Sequence, residues 1–260
     1  MLAPPLSSSR WWRLSAAGAL GFVGLWSAAA LAGLTSREFL PTPWDVAVRF
    51  AQLLTQPFAG HTLVIHLLSS LQRFAMGYIL AACVGVPLAL LMARFRVLDR
   101  LVTPAFEAVR FVAPIAWVPF AALWFGTGIG GPVLIIFSGA FPPCLINSYR
   151  GARFVEKRYI EAAQTLGASN WRVISEVLLP ASVPSIVAGL RISAGLGWQS
   201  LIGAELIVAS SGVGYLMVKG QASVSTATVM SGMVAIGVVG ILIDVALRRV
   251  QQAIETRRGL

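Results

Sequence analysis

Hydrophobic positions along this chain run in long unbroken blocks instead of the alternating patterns of half-buried surface elements. A helix needs about 20 apolar residues to cross the hydrocarbon core of a bilayer. Leu14 to Leu34 supplies 21 residues without a charge, preceded by Arg10 and Arg13. Ala30-Leu31-Ala32 imitates a signal-peptidase site, but the run exceeds the roughly 7–15 apolar residues of a secretory leader, so it is read as a retained first span. Residues 35–62 are more polar and contain Leu40-Pro41-Thr42-Pro43, which stops any helix there. A second span is predicted over 66–93. It is followed by the basic loop Arg94-Phe95-Arg96-Val97-Leu98-Asp99-Arg100. From Phe111 to Tyr149 there are 39 residues with no charge, and the turn-forming stretch Gly126-Thr127-Gly128-Ile129-Gly130-Gly131-Pro132 lies in their middle. Two spans are therefore expected, over 101–125 and 133–149. A polar stretch, 150–176, precedes the fifth and sixth spans at 184–209 and 226–247.

Composition agrees with lipid as the solvent. Hydrophobic residues make up 57% of the chain and charged ones 12%, about half the roughly 25% of a soluble domain. Such a chain is neither soluble and globular nor disordered. The net charge of +10 takes its meaning from its placement. Lys and Arg number 2 in the N-terminus, 3 in the 93–100 loop, 5 in 150–176 and 4 in the C-terminal tail, which is 14 on one side. Arg37, Arg49 and Lys219 make 3 on the other. The positive-inside rule then puts both termini and the 150–176 segment in the cytoplasm. The basic surplus reports topology, and a nucleic-acid partner is not expected. Cys83 and Cys144 sit in apolar runs and read as small core residues. His61 and His66 are about 140° apart on a helix, so they form no metal-binding pair and are expected at the membrane interface.

The polar segment 153–180 reads RFVEKRYIEAAQTLGASNWRVISEVLLP. Val155, Tyr159, Ala162 and Leu166 recur at helical spacing and mark one face of a short amphipathic helix. Gly167 stands where a left-handed C-terminal cap would end it, and Ser169 or Asn170 can cap the next helix. Ala162 and Ala163 are small enough to let a partner surface approach the backbone. A helix lying on lipid headgroups would also suit the basic residues.

Glu161-Ala162-Ala163, three residues, Gly167, nine residues, Val177, one residue and Leu179-Pro180 resemble the signature of ABC-importer membrane subunits. Phe39-Leu40-Pro41-Thr42-Pro43, Ser70-Leu71-Gln72-Arg73, Pro114-Ile115-Ala116-Trp117-Val118-Pro119, Leu123-Trp124-Phe125-Gly126-Thr127-Gly128, Gly189-Leu190-Arg191 and Ala204-Glu205 are similar to the nitrate/taurine/aliphatic-sulfonate branch of that family. Only residues 1 to about 35 look generic. Pro142-Pro143-Cys144 departs from the branch, which often has aromatic and single-proline residues there, and leaves the helix geometry near Cys144 open.

The resemblance implies an all-α membrane protein with six transmembrane helices in the type I ABC-importer permease fold. Residues 1–35 would form the N-terminal tail and first helix, and 36–260 the permease core. It implies that Glu161, Ala162, Ala163, Leu166, Gly167 and Ala168 form a coupling helix seated in a groove of a cytoplasmic ATPase. The implied partners are two ATP-binding subunits, a second copy of the chain, an extracytoplasmic substrate-binding protein and the lipid of the bacterial inner membrane. The implied cargo is a small anion such as nitrate, a sulfonate or bicarbonate, with a vitamin precursor or aromatic acid as alternatives within the family.

Residue chemistry agrees that the chain is no enzyme. A phosphate-binding loop needs Gly-Lys before Ser or Thr, whereas the two lysines, Lys157 and Lys219, follow Glu156 and Val218. ATP and Mg are expected on the partner, with no cofactor in this chain and no catalytic residue. Arg73, Glu107, Arg110, Arg191 and Glu205 fall within predicted spans, where each costs about 2.5–3.5 kcal/mol at a helix centre unless it faces protein or water. Glu107 and Arg110 can pair at i, i+3. Arg191 and Glu205 are 14 residues apart, about 21 Å along a helix and within about 40° of one face, so both could line a pathway without pairing. Arg110 and Arg191 are the main pathway candidates because guanidinium suits planar anions; Glu205, Trp198 and Gln199 are weaker ones. Arg73 is expected to pair structurally, and Asp244 to pair with Arg248. A secondary transporter driven by an ion gradient is the main rival, although no inverted repeat is visible; a membrane enzyme or a scaffold ranks below it.

Overall fold

The structure is a computed structural model that describes residues 8–32, 39–126 and 128–257. Its helices are α1 (Ser8–Leu31), α2 (Pro43–Thr55), α3 (Leu63–Arg94), α4 (Arg96–Val109), a 3-10 turn (Pro114–Trp117), α5 (Val118–Phe125), α6 (Gly130–Arg153), α7 (Lys157–Thr165), α8 (Asn170–Arg172), a π turn (Val173–Leu178), α9 (Leu179–Ile207), α10 (Val213–Ala222) and α11 (Thr226–Arg257). Among the described residues, five helices are long and apolar enough to cross a membrane, or six if the bent pair α4 and α5 counts as one span. Leu34, the boundary at residue 35, Arg37, Thr127 and Arg258 lie outside the described residues.

The third expected span, 101–125, is not one straight helix. Its halves bend by 89°. The cause is local: Pro114 excludes the α conformation from Ala113, which sits at φ −58°, ψ 140°. The Pro142-Pro143 pair does not break α6, which runs through both residues. Asn147 Nδ2 donates to the Pro143 carbonyl at 2.8 Å. The spans expected over 184–209 and 226–247 reach further than their apolar runs: α8, the π turn and α9 form one 38-residue rod from Asn170 to Ile207, and α11 continues to Arg257.

Contacts divide the chain into two compact units, Met1–Leu63 with Leu216–Val234, and Val64–Tyr215 with Ala235–Leu260. In the first, Thr42 and Asp45 cap α2 reciprocally, Trp26 Nε1 donates to the Pro41 carbonyl at 3.1 Å, and Arg49 Nε donates to Thr228 Oγ1 at 2.8 Å. In the second, α6 packs along α9 on a seam of small residues. A Cβ on Gly189 would fall 2.5 Å from Asn147 Cβ, and one on Gly139 3.0 Å from Ser200 Cβ. Lipid offers apolar side chains no gain from leaving it, so close backbone approach supplies the packing instead. Phe74, Ile136, Ala194, Trp198 and Leu201 form a buried cluster beside that seam. Cys144 is buried, whereas Cys83 is exposed on α3 and is no core residue.

Candidate functional site

The segment between α6 and α9 folds as its spacing predicts, but the face which that spacing marks is not its buried side. Val155, Ile160, Ala163 and Ala168 pack on a cluster of Leu90, Ala152, Val173, Ile174 and Leu178. Tyr159, at 52% exposure, and Leu166, at 88%, point away from it, as do the exposed Glu161 and Ala162. The regular spacing of Val155, Tyr159, Ala162 and Leu166 thus traces an outward face except at Val155. Seating on the protein uses the neighbouring stripe, because Ile160 and the two small alanines fit against the π turn.

The end of α7 is a Schellman motif. Ala168 N donates to Ala163 O and Gly167 N to Gln164 O, both at 2.9 Å, and Gly167 takes φ +80°. The contact of Ala168 and Ala163 with one cluster completes it. Ser169 then caps α8, its hydroxyl accepting from Arg172 N at 3.4 Å. Arg153 ties the end of α6 to the start of α4 through Asp99 at 3.1 Å.

The intramembrane charges separate into three groups. Glu205, 1% exposed, is not a pathway residue facing the same space as Arg191. Its carboxylate accepts from Arg73 Nη1 at 2.9 Å, Ser70 Oγ at 2.8 Å and Gly214 N at 3.0 Å. Arg73 also donates to the carbonyl and hydroxyl of Ser211, each at 2.6 Å, and so pairs structurally as expected. His66 belongs to this network and not to an interface: it is fully buried, and Nδ1 accepts from Gly212 N at 3.1 Å. Trp198 is packing, edge-on to Phe74 with Nε1 donating to the Ile236 carbonyl at 3.2 Å.

Arg110 pairs with Glu107 through Nε at 2.5 Å. It shares a cavity of about 380 Å³ with Gln199, Ser138 and Ser200, beside the bend between α4 and α5. Arg191 pairs across helices with Asp244 at 2.7 Å, and Asp244 also holds Arg248 at 2.8 Å. Local spacing explains the Arg248 contact but missed Arg191. Local spacing does not reveal Ser70, His66 and Ser211 as partners, nor Asp244 as the partner of Arg191, because each of these contacts spans more than 50 positions; the one signal available is that a buried arginine or glutamate requires such company.

These features define a multi-pass membrane protein with a short helix projecting between two spans and charges buried among the helices. Residues 85–259 match the family model described as binding-protein-dependent transport system inner membrane component. The taurine transport system permease protein TauC of Escherichia coli (strain K12) is 33% identical over 236 residues, covering 90% of this chain and 86% of that protein. The bicarbonate transport system permease protein CmpB of Synechococcus elongatus (strain ATCC 33912 / PCC 7942 / FACHB-805) is 32% identical over 239 residues, covering 89% and 85%. A chain of the MetNI methionine ABC transporter, solved in an inward-facing form, superposes with a TM-score of 0.65 at 19% identity over 74% of this chain and 95% of that one. The chain belongs to the binding-protein-dependent transport system inner membrane component family, and its fold is that of a type I ABC-importer permease. It is a permease component and not an enzyme; hydrolysis of ATP belongs to a separate subunit, so the reading as a gradient-driven carrier is set aside.

Proposed function

We propose that this permease imports a small anion, working as a pair of identical subunits around a shared path and driven through α7 by two cytoplasmic ATPase subunits. The observation carrying this reading is the geometry of α7. One side is fixed to the membrane helices by Ile160 and Ala163 while Tyr159, Ala162 and Leu166 stand unpacked on the other. A helix held on one side, with Tyr159, Ala162 and Leu166 exposed among charged residues on the other, suits a groove in a partner protein. Glu161 and Gly167, both exposed, complete the docking surface. The count of basic residues supports cytoplasmic termini and a cytoplasmic α7 in the inner membrane.

ATP and Mg reside on the ATPase, and this chain carries no cofactor. ATP binding closes the two motors and draws the docked helices together, which turns the spans outward to accept substrate from the external binding protein. Hydrolysis resets the inward-facing state. The anion class is supported by Arg110 and Arg191 within the spans and by relatives named for taurine and bicarbonate transport. Membrane lipid surrounds the pair, and nucleic acid has no part. The test is reconstitution with the ATPase and the binding protein: Glu161→Arg and Gly167→Asp should each uncouple ATP hydrolysis from uptake while leaving the permease inserted. Normal ATP-dependent uptake in both variants would refute docking through α7.

A further inference from the structure

Arg110 and Arg191 are each held by one carboxylate, and Arg110 also lies over the Phe111 ring, 4.4 Å from its centroid. Each side chain is 32% exposed, and each gives Nε to one carboxylate, Glu107 at 2.5 Å and Asp244 at 2.7 Å. Among the described residues, neither arginine donates from its two terminal nitrogens to any acceptor. Arg73 differs, with both terminal nitrogens engaged and the side chain buried. A carboxylate bound only at Nε fixes the plane of the guanidinium and leaves its far edge as a pair of parallel donors. That edge matches two oxygens of a planar or tetrahedral oxyanion.

The two arginines are linked by an open face of α9. Arg191, Ile192, Gly195, Leu196, Gln199 and Gly203 are exposed or half-buried and lie within an arc of about 140°. Gln199 lines the Arg110 cavity, and Gly195 lines the adjoining spaces at Arg191. From Arg191 to Gln199 the helix rises roughly 12 Å, a distance that separates two sites for a small ion without isolating them. No side-chain atom lies within 4 Å of where a Cβ on Gly195 would stand, so the face is open at that turn. The bend at residues 110–113 lines the cavity at Arg110, the upper one when the C-terminal end of α9 is placed at the top, as irregular backbone at membrane depth must line protein or an aqueous space.

We infer that Arg110 and Arg191 are two successive stations for a small oxyanion, at the Gln199 and Asp244 ends of one face of α9. The pairing carboxylates keep each station weak. An anion meets a guanidinium already half-neutralised, so it is attracted enough to enter and loosely enough to leave, which conduction through a membrane requires. Asp244 divides its charge between Arg191 and Arg248, so the lower station holds a surplus positive charge and favours onward movement from the upper one. This rests on the anion-importer reading above and specifies where the cargo is held.

The test uses the full-length permease in lipid nanodiscs, titrated calorimetrically with nitrate, bicarbonate and methanesulfonate. At least one of these anions should bind the wild type, and Arg110→Gln and Arg191→Gln should each weaken its binding by about tenfold or more, as expected for losing a charge-assisted pair of hydrogen bonds. Lysine at either position should restore part of it. Glu107→Gln should tighten binding at the upper station. Because Arg110→Gln leaves Glu107 without its partner, whereas Asp244 keeps Arg248 in Arg191→Gln, Arg110→Gln with Glu107→Gln serves as a second variant that folds without that strain and should bind as weakly as Arg110→Gln alone. Binding of none of the three anions by the wild type, or unchanged binding in the arginine variants, would overturn the proposal. Association with the ATPase, measured on the same samples, separates the outcomes: docking without arginine-dependent anion binding sinks the stations alone, whereas loss of docking in the wild type sinks the importer reading with them.

Discussion

Arg73 and Glu205 lie 132 positions apart in sequence and meet at 2.9 Å, with the carboxylate fully enclosed. The pair fastens α3 to the end of α9 and, through Ser70 and Ser211, to the turn that starts α10. Removing one member strands the other in a low-dielectric interior. Arg73→Met or Glu205→Leu alone should therefore cost about 3–5 kcal/mol, and the double replacement by apolar residues should recover most of it. Thermal unfolding of the three variants in nanodiscs checks this. Additive losses in the double variant would show that the two charges do not depend on each other.

Gly167 occupies the left-handed region with open space around its missing side chain. Gly167→Ala should cost about 1–2 kcal/mol of local stability from backbone conformation alone, and Gly167→Asn less, since asparagine tolerates that region. Hydrogen exchange at the amides of Gly167 and Ala168 is the direct readout, with faster exchange in the alanine variant. Asparagine and aspartate share the backbone tolerance, so a larger loss of coupling in Gly167→Asp than in Gly167→Asn would come from charge on the outward surface.

Leu166 is 88% exposed, and nothing in the permease depends on it for packing. Leu166→Asp should leave thermal stability within about 0.5 kcal/mol of the parent yet weaken ATPase association by an order of magnitude or more if the leucine sits at the centre of the docked surface. Titration of the labelled ATPase onto nanodisc-held permease measures the second effect. Equal affinity for both permeases would place the contact elsewhere.

The α6 and α9 seam should be intolerant of added atoms. Gly189→Val places a Cβ where Asn147 already stands, with an expected cost of about 1–3 kcal/mol. Gly237→Ala, where no neighbour lies within 4 Å, should be neutral or stabilising by up to about 1 kcal/mol through helix propensity. Comparing the unfolding midpoints of the two variants checks the seam.

Charge-free runs made the spans legible, because no soluble element needs 20 consecutive apolar residues. The projecting helix was legible too: Gly167 and Ser169 stop and restart the chain where their chemistry requires. Which side of α7 is seated was not legible, since Ile160 and Ala163 meet a cluster drawn from distant elements, Leu90, Ala152, Val173, Ile174 and Leu178, while Tyr159 and Leu166 are equally apolar. The bend after Val109 was written locally in Ala113-Pro114 but hidden by the uniform hydrophobicity on both sides. The partners of Arg73 and Arg191 could not be read at all. Burial demands a counter-charge, but only the fold selects Glu205 and Asp244 from the available carboxylates.

From Asn170 to Ile207 the backbone is one rod, with Trp171 exposed at one end and Glu205 clamped at the other. A continuous helix carries a displacement of its foot to its head, less whatever a looser turn along it absorbs. The wider coil at Val173–Leu178 is the place along its length where such torque can be taken up.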